Sequence, residues 1–138
     1  MSQEKSNQNS IKIKKELTYN AEETEQALLE VFHNNKDIEI QIIRTKSDNI
    51  VIAFIDGLCD RNLIDRDIIT HLKSDKYDGK FYHAIKSVYK EIKDFSEIVQ
   101  NLLNGNLVVI SQALKKALYI DFKNFERRSV ESPDAEEV

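Results

Sequence analysis

The side chains most able to do chemistry crowd together just after a long apolar run: Asp56, Cys59, Asp60, Asp65, Asp67 and His71. Carboxylates following a strand end are a common seat for catalysis or metal binding in α/β folds. Asp67 and His71 stand four apart, so a helix would turn both to one face, as shared metal ligands require. With Asp56 and Asp60 they could serve a small metal-dependent hydrolase. Cys59 could act as a nucleophile if His71 were its base. The same residues have a plainer use, because acids at a helix start cap and charge it and a histidine near its end meets the favourable pole of the dipole. His33 and His83 lie in unrelated segments, and no sequence signature surrounds Cys59. The plainer use is favoured: no catalytic residue, metal ligand or cofactor is expected. Gly57, Gly79 and Gly105 are too dispersed to cradle a phosphate. Gly57 and Gly105 read instead as structural turns needing a positive φ.

The elements that would hold these residues follow from periodicity. Asn20 is a good N-cap, Glu22 and Glu23 suit a first helical turn, and Ala27, Leu28, Val31 and Phe32 make an apolar stripe. His33-Asn34-Asn35 should close that helix, with an asparagine in the left-handed conformation. Ile38, Ile40 and Ile42 alternate with Glu39, Gln41 and Ile43, the pattern of a half-buried strand. After a turn at Lys46-Ser47-Asp48-Asn49, the run to Ile55 reads as a central strand buried on both faces, paired antiparallel with its predecessor. A second helix is expected over about 62–72, with Leu63, Ile64, Ile68, Ile69 and Leu72 inward. Residues 81–92 fit either a helix or a short edge strand. Ser96 should cap a helix over 97–103, stopped at Asn104-Gly105, and two strands follow at 107–110 and 117–122. The fold class is α/β (α+β): a mixed sheet of about four to five strands with about three packed helices.

Composition bounds the function. At 138 residues, with 41% hydrophobic and 32% charged, the chain suits one soluble domain. A net charge of −4, without clustered basic residues, argues against a nucleic-acid partner. The single cysteine fits a reducing compartment. No apolar run approaches the roughly 20 residues of a membrane span, and residues 1–9 lack the apolar core of a signal peptide. Neither secretion nor direct membrane insertion by this segment is expected. Residues 1–10 read as a disordered tail, 11–123 as the α/β subdomain and 124–138 as a charged linker with one proline.

Four stretches carry a resemblance. Phe54-Ile55-Asp56-Gly57-Leu58-Cys59-Asp60 is similar to a "(Y/F)-I-D-G-L-x-D" element. Leu63-Ile64-Asp65 with Ile68-Ile69 is similar to the helix start that follows it. Leu102-Leu103-Asn104-Gly105-Asn106 is similar to "L-L-x-G-(D/N)" before two apolar strands. Glu126-Arg127-Arg128-Ser129-Val130-Glu131-Ser132-Pro133 is similar to a charged strip that leads toward a membrane part. Their order and spacing resemble the GerA-type spore germinant receptor A subunit; the related stage V sporulation protein shares the motifs. The chain departs from the family pattern at Gln112-Ala113-Leu114-Lys115-Lys116, where a glycine-containing turn is usual, and at Ser132, where an acid is usual. The resemblance implies the first N-terminal subdomain of a longer membrane protein: a non-enzymatic sensing or scaffold module at the cytosolic side of the spore inner membrane. It implies as partners the other receptor subunits, the rest of its own chain and a small nutrient molecule. Arg127, Arg128, Glu131 and Pro133 become the candidate interface. A free-standing small-molecule-binding domain is the further alternative.

Overall fold

An apolar series as unbroken as Asn49–Ile55 can be a strand only if both of its faces are covered. In the computed structural model, which describes residues 16–80 and 89–121, every residue from Ile50 to Ile55 is buried. This strand, β2, pairs with β1 (Ile38–Arg44) on one side. On its other side lies β4 (Leu107–Ser111), followed by β5 (Lys116–Ile120) and the short β3 (Tyr89–Glu91). The order is β1-β2-β4-β5-β3, and every pairing is antiparallel. The α+β class holds, and among the described residues so do the expected strand and helix numbers, in a sheet whose pairings are all antiparallel.

The helices supply the cover. Helix α1 (Ala21–Val31) and α3 (Phe95–Leu103) lay Leu28, Phe32, Phe95, Ile98 and Leu102 against Val51, Ala53, Ile55, Val108 and Ile110. The opposite face packs Ile50, Ile52, Phe54, Leu107 and Val109 against α2, a run of three helical segments, Arg61–Ile64, Asp65–Ile69 and Thr70–Leu72. The middle segment is a π turn, which the sequence pattern does not announce. At about 3.6 residues per turn a regular helix would spread Ile64, Ile68, Ile69 and Leu72 over a broad arc. The wider turn draws all four onto the sheet, and the Thr70 hydroxyl satisfies the loosened geometry by donating to the Asp65 carbonyl at 2.8 Å.

The helix ends test the local reading. Asn20 caps α1 as expected, its side chain accepting the Glu23 N–H at 2.9 Å. Asn34 and Asn35, expected to close α1 in a left-handed conformation, do not: Phe32 is the C-cap with φ −103°, and its N–H bonds to the Leu28 carbonyl. Burial of Phe32 carries the chain away without a left-handed residue, and Asn35 instead accepts the Asp37 N–H. Helix α3 begins earlier than expected, because Asp94 and not Ser96 is its cap. Asp94 accepts the Glu97 N–H and the Ser96 hydroxyl, both at 2.9 Å, which hold its carboxyl below the usual value. Within the ambiguous 81–92 stretch Tyr89–Glu91 is a strand; residues 81–88, like 1–15 and 122–138, lie outside the described residues.

One buried carboxylate ties the turns at one end of the sheet. Asp48, in the β1–β2 turn, accepts the Ser111 hydroxyl and, at 2.7 Å, the Ala113 N–H. The Ser111 oxygen in turn accepts the Leu114 N–H at 3.1 Å. Gln112 turns the other way and accepts the Ala21 N–H at 2.8 Å, fixing the start of α1. This is the loop without the usual glycine, and Lys115 takes the left-handed conformation there, with φ +53°. The Asp48→Ala variant should lose about 1–3 kcal/mol, since a buried hydroxyl and a partly buried N–H lose a charged acceptor. Urea unfolding checks this, and a loss under about 0.5 kcal/mol would show the link to be incidental. Lys115→Gly should gain about 0.5–1 kcal/mol, the left-handed strain outweighing the added chain entropy; a lowered melting temperature would contradict that.

Candidate functional site at the two glycine corners

Opposite the Asp48 end, two corners meet. The first leaves β2: the Leu58 N–H bonds to the Ile55 carbonyl at 3.0 Å, and Gly57 sits third in that turn with φ +96°. The second ends α3 as a full Schellman motif. The Asn106 N–H bonds to the Asn101 carbonyl at 2.9 Å, the Gly105 N–H to the Leu102 carbonyl at 3.0 Å, and Gly105 has φ +85°. The Cys59 thiol joins the corners by donating to the Gly105 carbonyl at 3.2 Å. A Cβ on Gly105 would stand 3.4 Å from the Leu58 Cβ, so the corners touch as well as bond. Leu58, which packs against Gly105, and Leu103, the last residue of α3, are 47% and 46% exposed, which is high for leucines beside a well-filled core.

The acidic cluster is dispersed by the same folding. Asp60 is the N-cap of α2, accepting the N–H groups of Asn62 and Leu63. Asp56 faces Arg61 at 3.8 Å, and Arg61 also pairs with Glu39 of β1. Both oxygens of Asp67 are held by Arg66, at 2.8 and 2.9 Å, and this guanidinium keeps the Asp67 carboxyl below the usual range. Asp65 and His71 are exposed on α2. Among the described residues no three of these ligand types come close enough to hold a metal ion. Cys59 is buried, so neither a nucleophile–base pair nor a metal-dependent hydrolase finds support in the geometry. The expected interface residues Arg127, Arg128, Glu131 and Pro133 lie outside the described residues.

Sequence reasoning placed both glycines correctly but did not bring their corners together, nor did it expose Leu58 and Leu103. The only local signal was that Leu58 follows a turn glycine and Leu103 stands two residues before one, each near the end of an apolar stretch.

The chain belongs to the Bacillus/Clostridium GerA spore germination protein family, whose model matches residues 26–138. The fold is similar to that of the N-terminal domain of the A subunit of the Bacillus megaterium spore germinant receptor GerK3, with a TM-score of 0.63 and 17% identity. The alignment covers 77% of this chain and 47% of that one, so this chain spans about half of that domain. No curated protein matches the sequence. The two corners that touch are two of the stretches on which the sequence resemblance rests.

Nothing lies within 4 Å of a Cβ built on Gly57, so any substitution cost there comes from the backbone alone. Gly57→Val should destabilise the chain by about 1–3 kcal/mol. An unchanged thermal midpoint would show that the corner tolerates a negative φ.

Proposed function

We infer that this chain is a non-enzymatic sensing or scaffold module of a nutrient germinant receptor, acting in spore germination on the cytosolic side of the spore inner membrane. The observation that carries the reading is the junction of the two family-like corners. Folding spends Asp56, Asp60 and Asp67 on a cap and ion pairs, yet leaves Leu58 and Leu103 half exposed beside those corners. Exposed leucines held on rigid, hydrogen-bonded turns suit docking better than chemistry. The partners are the remainder of the receptor's A subunit and its other subunits, with a small nutrient molecule as the signal. No described helix is long and apolar enough to cross a membrane, so attachment falls to another part of the receptor. In that assembly the strip holding Arg127, Arg128, Glu131 and Pro133 pairs its arginines with carboxylates of a neighbouring unit.

Two double variants test this in spores. Leu58→Ser with Leu103→Ser, and separately Arg127→Ala with Arg128→Ala, should leave the purified chain folded with little change in melting temperature. In the intact receptor each should lower receptor level or the germination response. Removing one side of a charged pair costs about 2–5 kcal/mol when it is buried and far less at a rim. Normal receptor level and normal germination in both double variants would reject the scaffold reading, and in the arginine variant alone would reduce that strip to a tether.

A further inference from the structure

The two edges of the sheet are unlike. The β3 edge is three residues long, exposed throughout, and carries Lys90, which blunts it against pairing with another chain. The β1 edge runs for seven residues in unbroken one-to-one register with β2, without bulge, proline or lysine. The Asp37 carbonyl accepts the Asp56 N–H and the Thr45 N–H donates to the Asp48 carbonyl, each at 2.8 Å, at the two ends of the ladder. Bonded and non-bonded pairs alternate in an antiparallel ladder. Glu39, Gln41 and Ile43 therefore bond inward to β2, while Ile38, Ile40, Ile42 and Arg44 turn their N–H and C=O groups outward. No backbone bond from another described residue reaches those outward groups.

The surroundings of this edge define what would fit it. Ile38, Ile40 and Ile42 are half buried on the α1 side. The 2.7 Å pair between Glu22 of α1 and Arg44 of β1 shows which flank of α1 overhangs the edge. Leu29, two helical turns beyond Glu22 on that flank, is 42% exposed. On the other face Glu39 sits at the edge, with Asp37 just before the strand. The nearby arginines are already engaged, Arg44 with Glu22 and Arg61 with Glu39 and Asp56.

We propose that the outer edge of β1 receives, as a sixth strand, an extended segment of another polypeptide in which apolar and basic residues alternate. The backbone of Ile38, Ile40, Ile42 and Arg44 supplies the hydrogen bonds, as in strand addition to open sheet edges generally. The apolar residues of the segment cover Leu29 and the three isoleucines, and its basic residues meet Asp37 and the net negative charge of Glu39 and Asp56, which share the one guanidinium of Arg61. This rests on the scaffold reading and names one surface and one kind of partner for it.

The test titrates the isotope-labelled full chain with an acetylated seven-residue peptide alternating valine and lysine, and with the same peptide carrying glutamate in place of lysine. Saturable shifts and slowed amide exchange are expected at Ile38, Ile40, Ile42 and Arg44, with the glutamate peptide binding about tenfold more weakly or worse. Ile40→Pro removes one outward N–H without touching the β2 ladder and should abolish binding. Leu29→Glu, on an exposed helical position, should weaken it while leaving the fold unchanged. Absence of saturable shifts at β1, or equal response to both peptides, overturns the proposal. So does a concentration-dependent dimer of the free chain that Ile40→Pro abolishes, because the occupant is then a second copy. The germination phenotype of the Leu58 and Leu103 variants is scored independently, so failure at β1 and failure of the scaffold reading are told apart.

Discussion

The structure is organised by the need to cover a sheet whose two central strands, β2 and β4, are buried on both faces. Ile50, Ile52 and Phe54 point to one side and Val51, Ala53 and Ile55 to the other, with Leu107, Val109 and Val108, Ile110 continuing both surfaces. Neither surface can face water, so helices must lie on each. That constraint explains why α1 and α3 share one face although the whole of the chain's middle separates them. It also explains why α2 distorts to a π turn: four apolar side chains must reach the other face of the sheet from one short helix.

Covering both faces leaves polar closure to the two ends. At one end Asp48 accepts donors from the end of β4 and from the β4–β5 loop, and Gln112 of that loop reaches over to α1. At the other, a cysteine thiol and a glycine carbonyl join the exit from β2 to the exit from α3. Burial also raises the Tyr77 phenol above its ordinary value, with the Asp48 and Asp78 carboxylates adding to the shift. The ionisable groups most suggestive of catalysis are thus largely spent in capping and pairing. Among the described residues, what the fold leaves unspent is apolar surface at Leu58 and Leu103 and backbone hydrogen-bonding capacity along one edge, both of which suit binding.

Much of this was legible in the residues themselves. The Asn20 cap, the β1–β2 hairpin, the buried run to Ile55 and the left-handed Gly57 and Gly105 are set by local conformational preference and by period-two or helical spacing. Errors arose where a local preference met competition. Ser96 could cap a helix, but Asp94 accepts an N–H more strongly because it is charged. Asn34 and Asn35 tolerate the left-handed conformation, but the buried Phe32 ends α1 without it. The turn at Gln112–Lys116 holds no glycine, yet it contains a left-handed residue, Lys115.

The sequence by itself determined the elements, the α+β class and the family, because each depends on neighbours within a few residues or on motifs read in order. The role of Asp48, the meeting of Cys59 with Gly105 and the dispersal of the acidic cluster were decided only in three dimensions. Those contacts join residues tens of positions apart, such as the 46 that separate Cys59 from Gly105, and no local periodicity encodes them. Exposure of Leu58 and Leu103, and of the outer edge of β1, is likewise a property of what the packed layers fail to cover. A residue's type states what it could bury, and only the completed packing decides what stays open to a partner.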